Sequence, residues 1–123
     1  MSKNAEKLVH FKTKTEKTLI SLNDIIYIHG HEKELSVYLT NTTKFEATER
    51  IKYFYERLND PRFLLVHNEY IINMDLVRAE KKDSFLMADN TVIPIRNYGR
   101  NDLINSFYKY KRENYKKTRN SHI

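Results

Sequence analysis

Cysteine is absent from this 123-residue chain, and glycine occurs only twice. The lack of cysteine excludes disulfides and thiolate chemistry, and it is compatible with a cytoplasmic location. Gly30 and Gly99 each stand alone, so they cannot form a P-loop, a dinucleotide-binding turn or a Gly-x-Ser-x-Gly elbow. The sequence therefore disfavours nucleotide hydrolysis, and we expect neither enzymatic activity nor a cofactor.

Long apolar runs are also missing. None approaches the roughly 18 residues that a helix needs to cross a bilayer, and residues 1–10 lack the apolar segment of a secretory signal. We therefore expect a soluble, cytoplasmic protein with no membrane partner. A length of 123 residues predicts one domain with a single core.

Basic residues exceed acidic ones by 22 to 16, which gives a formal net charge of +6. Such an excess favours a polyanionic partner. No basic helix with a large apolar face accompanies it, so nucleic acid is favoured over a membrane surface.

The hydrophobic pattern predicts a mostly β chain. The β-branched and aromatic run from Ile25 to Ile28 is the clearest strand. We expect a meander of antiparallel strands with polar tips, residues 29–34 forming one loop. Pro94 lacks an N–H and belongs at a sheet edge or a strand end. The other predicted strands cover residues 7–12, 35–40, 43–47, 63–66, 70–72, 76–80, 84–87 and 91–95.

Two helices are predicted. The first begins with Thr48 as N-cap and Glu49 in the first turn, and it ends before Pro61. The second begins near Asn101. The first packs through Ile51, Phe54, Tyr55 and Leu58, and the second through Leu103, Ile104, Phe107 and Tyr108. This divides the chain into an N-terminal tail (1–7), a domain (8–108) and a basic helix end (109–123).

The central stretch FLLVHNEYIINM, residues 63–74, delivers His67 and Asn68 to the surface between two apolar runs. Alternation places Phe63 and Leu65 on one face of the strand and Leu64 and Val66 on the other. An asparagine carboxamide presents a donor and an acceptor that match the N6/N7 edge of adenine. In the alternative interpretation, Asn68 caps a turn and His67 satisfies a backbone carbonyl.

Two catalytic or metal-binding interpretations remain open. His29-x-His31 with His67 could bind zinc, although no cysteine or clear carboxylate completes the ligand set, so we expect no metal. Asp75, Glu80 and Lys82 resemble the two carboxylates and lysine of metal-dependent nucleases, but residues 81–83 also fit a polar hairpin tip.

Basic and amide residues recur at the predicted loop tips. Lysine and arginine can hold phosphates, while arginine and asparagine can read base edges. This pattern favours DNA or RNA binding, and single-stranded RNA stacked on exposed tyrosines is a further alternative. The candidate DNA-binding residues are His31, Lys33, His67, Asn68, Lys81, Lys82, Arg96, Asn97 and Arg100.

The order of these residues resembles the LytTR family of bacterial DNA-binding domains, from about Leu8 to Phe107. The segments that carry the resemblance are NDIIYIHGHEKELSVYL, FLLVHNEYIINMDLV and NTVIPIRNYGRNDL. Within the family, the chain most resembles the accessory gene regulator branch, where His-Asn and Arg-Asn occupy the same two places.

The resemblance implies stacked antiparallel sheets with one short helix and a C-terminal helix. It also implies a transcriptional regulator that reads duplex DNA through loops, often as two copies on direct repeats. By position, Asn68 and Arg96 would read bases, and residues 29–33 would contribute from the first loop. Which of Arg96, Asn97 and Arg100 enters the groove stays open. Glu69 stands where the family usually has a small polar residue.

Many family members carry an amino-terminal receiver domain, for which this chain has no room. We expect either a stand-alone regulator or the effector half of a longer protein. Its signal would then come from its abundance, from a partner or from a missing receiver domain.

Overall fold

The computed structural model describes residues 6–122, with side chains as far as Tyr115. Most of the predicted tail at 1–7, and the side chains of the basic helix end beyond Tyr115, lie outside that description. The described chain is mostly β, as predicted. Its elements are β1 (Leu8–Lys12), β2 (Lys17–Ser21), β3 (Ile25–His31), β4 (Glu34–Leu39), β5 (Lys44–Thr48), α1 (Ile51–Leu58), β6 (Phe63–His67), β7 (Tyr70–Asn73), β8 (Val77–Lys81), β9 (Ser84–Met87), β10 (Val92–Pro94) and α2 (Arg100–His122).

The strands form three antiparallel sheets. The central sheet has the order β5-β4-β3-β7-β6, and it lies between the hairpin β1-β2 and a sheet of order β10-β9-β8. The β-branched run in β3 occupies the middle of the central sheet, where both of its faces are covered. Pro94 ends the edge strand β10, as its missing N–H predicts.

Two hydrophobic clusters lie on opposite faces of the central sheet, so the single core expected from chain length is wrong. Ile71 of β7 joins the cluster with Phe11 and Phe54, whereas its neighbour Ile72 joins the cluster with Phe85. Successive side chains of a strand point to opposite faces, and this alternation also divides β6 as predicted. Each face is therefore covered by its own small layer.

Strand β3 extends further than the sequence predicts. His29, Gly30 and His31 pair with β4 instead of forming a loop, and only residues 32–33 make the turn. Gly30 lies under α1, where an added Cβ would be 2.6 Å from Cβ of Ile51. Glycine permits this close approach of helix and strand.

Helix α1 begins later than predicted. Thr48 remains in β5, paired with Glu34, and the N-cap is Arg50, which makes no side-chain capping bond. The Glu49 carboxylate instead accepts hydrogen bonds from Nε and Nη2 of Arg57, at 3.1 and 2.9 Å. The predicted apolar stripe is correct, since Ile51, Phe54 and Leu58 are buried.

Helix α2 packs through Leu103 and Phe107, and the Phe107 ring lies 5.0 Å from that of Phe85. Tyr108 was predicted on this packed side but is 44% exposed. Its hydroxyl donates to the Glu80 carboxylate at 2.7 Å. A tyrosine at the rim of a helix stripe can pack its ring and leave its hydroxyl at the surface.

The side chain of Asn73, the last residue of β7, connects the end of β7 to the start of β3. It is 1% exposed, and its Nδ2 donates to the Ile25 carbonyl at 2.8 Å. Its Oδ1 accepts the Asp75 amide at 2.9 Å.

We expect Asn73→Ala to lower the free energy of unfolding by about 2 to 3 kcal/mol, because it leaves buried backbone groups without partners. Chemical denaturation would measure this loss. Asn105→Ala, at an exposed position of α2, is the matched control. If the free energy of unfolding falls no more than in the control, water replaces the hydrogen bonds of the Asn73 amide without a loss of stability.

Candidate nucleic-acid interface

The turns β3-β4 and β6-β7 lie side by side at one end of the central sheet. The Gly30 N–H donates to the Glu69 carbonyl oxygen at 2.8 Å. Nε2 of His29 lies 3.3 Å from Oε1 of Glu69, and the His29 ring stacks on Tyr70 with 4.6 Å between centroids. Burial, with the Glu69 charge adding to it, raises the pKa of Tyr70. Backbone and side-chain contacts thus tie the first turn to the second.

The segment after β10 joins the same end. The Arg96 N–H donates to the Val66 carbonyl at 2.8 Å, which covers the outer edge of β6. The Ile95 N–H donates to the Asp83 carbonyl at 2.9 Å, which brings in the β8-β9 turn. We call the resulting surface the loop end, defined by residues 31–33, 67–69, 81–83 and 95–100.

In the turn after Val66, Asn68 is exposed and His67 is half-buried. Nδ1 of half-buried His67 accepts the Glu69 N–H at 3.2 Å. His67 therefore supports the turn, although it accepts an amide rather than satisfying a carbonyl. Oδ1 of Asn68 accepts a hydrogen bond from the Tyr98 hydroxyl at 3.2 Å. The amide lies at the tip of the turn and caps no backbone group among the described residues.

Arg96 is half-buried and partly committed to the protein itself. Its Nε donates to the Tyr98 carbonyl at 3.0 Å, and Nη1 donates to the Leu65 carbonyl at 3.2 Å. The guanidinium carbon also lies 4.9 Å from the centroid of the Tyr98 ring. Nη2 alone of the guanidinium nitrogens makes no hydrogen bond within the described part of the chain.

Arg100 supports the last loop from the first turn of α2. Its Nη2 donates to the Ile95 carbonyl at 3.2 Å and to Oδ1 of Asn97 at 2.7 Å. Its Nε is buried without a hydrogen-bond partner among the described residues. Asn97 is exposed. Of the three candidates in this loop, Asn97 is the most accessible, whereas the side chains of Arg96 and Arg100 both donate to backbone carbonyls.

The remaining candidates are exposed side chains at the tips of the turns. They are His31, Lys33, Lys81 and Lys82. His31 lies 4.0 Å from the Glu32 carboxylate, and the loop end also carries Glu69 and Asp83. The surface is therefore mixed in charge, with lysines at its margins and the Glu69 carboxylate held by His29.

The structure separates the residues of the nuclease interpretation. Asp75 and Lys82 flank opposite ends of β8, and the Asp75 carboxylate accepts the Tyr110 hydroxyl at 2.7 Å. Burial, reinforced by this bond, raises the pKa of Tyr110. Glu80 is bound by Tyr108. No group of three acidic or histidine side chains among the described residues could hold a metal ion, and this includes the His29, His31 and His67 set.

Tyr98 is 66% exposed at the loop end and is not among the candidate residues predicted from the sequence. The available signal was an aromatic residue inside the polar run Arg96 to Arg100. Its partner Asn68 is distant along the chain, so no local pattern indicates their hydrogen bond.

The described antiparallel β frame presents amide and basic side chains from adjoining turns, a combination that DNA-binding domains use to contact phosphates and base edges. The chain belongs to the LytTR family, since the family model of the LytTr DNA-binding domain matches residues 15–103. The matched region includes every residue of the loop end.

The fold is similar to that of the LytTr DNA-binding domain of a Bacillus cereus protein described as a methyl-accepting/DNA response regulator. The TM-score is 0.60 at 17% identity, over 89% of this chain and 96% of that chain. No curated protein matches the chain. Within residues 6–122, no helix is long and apolar enough to cross a membrane.

Gly99 closes the last loop in a left-handed conformation, with φ of +64°, and an added Cβ would lie 3.3 Å from Nη2 of Arg96. We expect Gly99→Ala to lower the free energy of unfolding by about 1 to 2 kcal/mol because a side chain disfavours this conformation. Thermal and chemical denaturation would measure the change, with Asn101→Ala, at a neighbouring exposed position, as control. Unchanged stability would show that the loop can relax around the new methyl group.

Proposed function

We propose that this protein is a sequence-specific transcriptional regulator that reads the major groove of duplex DNA through its loop end. The observation that carries the proposal is the hydrogen bond from Arg96 to the Val66 carbonyl, 2.8 Å long. Because it fixes the turn after Val66 beside the segment after Ile95, the groups on both can reach one face of a duplex together.

The roles of the loop-end residues follow from their exposure. The Asn68 amide is exposed and suits an adenine edge. Asn97 offers a second exposed amide, and Arg96 retains Nη2 for a base or a phosphate. Arg100 and His67 support the two loops from within.

The four exposed side chains at the turn tips, His31, Lys33, Lys81 and Lys82, flank these amides. Phosphate contacts fix the position of a protein on DNA without reading sequence. We assign the lysines this role, with His31 beside them.

Binding by two copies on direct repeats would give each copy its own loop end on one groove. Such an assembly would act in the cytoplasm and receive its signal from a partner or from a receiver domain. Gel filtration of the protein with duplexes that carry one or two copies of a selected site would measure the stoichiometry.

We expect Asn68→Ala to cost about 1 to 3 kcal/mol on a preferred duplex and much less on random sequence, because only base contacts depend on sequence. The preferred duplex is obtained by selection from random DNA on the wild-type protein, and binding is measured by fluorescence anisotropy. The matched control is Asn41→Ala in the β4-β5 turn, at the opposite end of β4 from the loop end. Equal losses on every sequence would refute a base-reading role for Asn68.

Lys81→Ala and Lys82→Ala should weaken binding to all sequences alike and reduce the slope of log K against log salt by about one unit each. The reason is that a variant with one phosphate contact fewer releases fewer counterions when it binds DNA. Titrations at several salt concentrations would measure the slope. The control is Lys44→Ala, at the start of β5 and remote from the loop end, which should leave the slope unchanged. If the two lysine variants change the slope no more than this control does, neither lysine contacts phosphate.

A further inference from the structure

Tyr98 connects the last loop to the central turn. Its hydroxyl lies 3.2 Å from Oδ1 of Asn68, and its carbonyl accepts Nε of Arg96 at 3.0 Å. Gly99 follows with positive φ and lets the chain turn directly into α2. The main chain of Tyr98 is thus fixed by a hydrogen bond, while its side chain remains exposed.

The orientation of a carboxamide decides which base edge it matches. Adenine presents the N7 acceptor and the N6 donor, so asparagine must place Nδ2 toward N7 and Oδ1 toward N6. Rotation of the amide by half a turn exchanges these two atoms, and the match is lost. An exposed asparagine with no partner for its side chain is free to adopt both orientations.

The hydroxyl of Tyr98 supplies such a partner on one side of the Asn68 amide. It donates to Oδ1, which retains a second lone pair for the N6 hydrogen of adenine. The Arg96 guanidinium over the Tyr98 ring polarises the phenol and favours the hydroxyl as donor over acceptor. Oδ1 is therefore preferred on the side that faces Tyr98, and Nδ2 remains for the base.

We propose that Tyr98 is a positioning residue that fixes the amide of Asn68 for adenine in duplex DNA. This inference rests on the proposed function. Arg96 then contributes to recognition in two ways. It hydrogen-bonds to the backbone of the loop, and it contacts the ring of Tyr98, whose hydroxyl orients Asn68. Specificity at this base pair comes from three residues on two loops.

Tyr98→Phe tests the proposal because it removes the hydroxyl and keeps the ring over which Arg96 lies. The probes are a labelled duplex carrying the sequence selected on the wild-type protein and a randomised duplex of the same length. We expect Kd for the selected duplex to rise about three- to tenfold, the effect of one hydrogen bond, and Kd for the randomised duplex to stay within about twofold. Replacing the A·T pair read by Asn68 with G·C should also cost the variant less than it costs the wild type.

A double-mutant comparison shows whether Tyr98 acts through Asn68. In an Asn68→Ala background, Tyr98→Phe should change Kd for the selected duplex by less than about twofold, because no amide remains to be oriented. Tyr53→Phe is the matched control, since this tyrosine on α1 is 61% exposed and Tyr98 is 66% exposed. Unchanged thermal unfolding of the Tyr98 variant would confirm that its fold is intact.

The outcomes separate the two proposals. If Asn68→Ala abolishes the base preference and Tyr98→Phe leaves it intact, the positioning role is wrong and the proposed function stands. If Tyr98→Phe costs as much in the Asn68→Ala background as alone, Tyr98 contacts DNA itself and the positioning role is again wrong. If Asn68→Ala changes no base preference, Asn68 reads no base and the positioning role is wrong. If the wild-type protein binds the selected and the randomised duplex equally well, the proposed function itself is wrong.

Discussion

The loop end depends on one backbone hydrogen bond, from the Arg96 N–H to the Val66 carbonyl. Strand β6 is the edge of the central sheet, and an open edge would leave its carbonyls unpaired and its turn free to move. The segment after β10 closes that edge and connects the central sheet to the sheet β10-β9-β8. The turns after Val66 and Ile95 are consequently held next to each other by a main-chain hydrogen bond. The proposed function depends on this fixed spacing, because groups that bind one ligand together must keep their relative positions.

The two arginine side chains of the last loop support its structure. Arg96 donates from its main chain and from its side chain to two successive carbonyls of β6, and Arg100 holds the loop from α2. Guanidinium groups can satisfy several carbonyls at fixed angles, which lysine cannot do. The exposed cations of the loop end are consequently its lysines, Lys33, Lys81 and Lys82. The proposed function assigns them to phosphates, for which a point charge is sufficient.

Much of the fold could be predicted from the sequence because the patterns concerned are local. Alternation along residues 63–66 places successive side chains on opposite faces, and the structure has them there. The predictions that were wrong depended on distant residues. Strand β3 continues through Gly30 because Ile51 packs directly over it, and α1 begins late because Thr48 remains paired with Glu34 in the sheet. The hydrogen bond between Tyr98 and Asn68 could not be predicted, because the two residues lie on different loops.

The sequence by itself determined the family, the mostly antiparallel β architecture and the polar character of the turns, because strand periodicity, turn residues and net charge are properties of neighbouring residues. Only the tertiary structure decided which polar groups at those turns remain available. Asn68 and Arg96 are both polar residues after a strand in the sequence. In the fold, the guanidinium of Arg96 is largely satisfied by carbonyls from β6 and the last loop. The amide of Asn68 remains exposed and accepts a hydrogen bond from the Tyr98 hydroxyl. Hydrogen-bond partners are assigned by proximity in space, and the paired sheets bring together residues that the chain keeps apart.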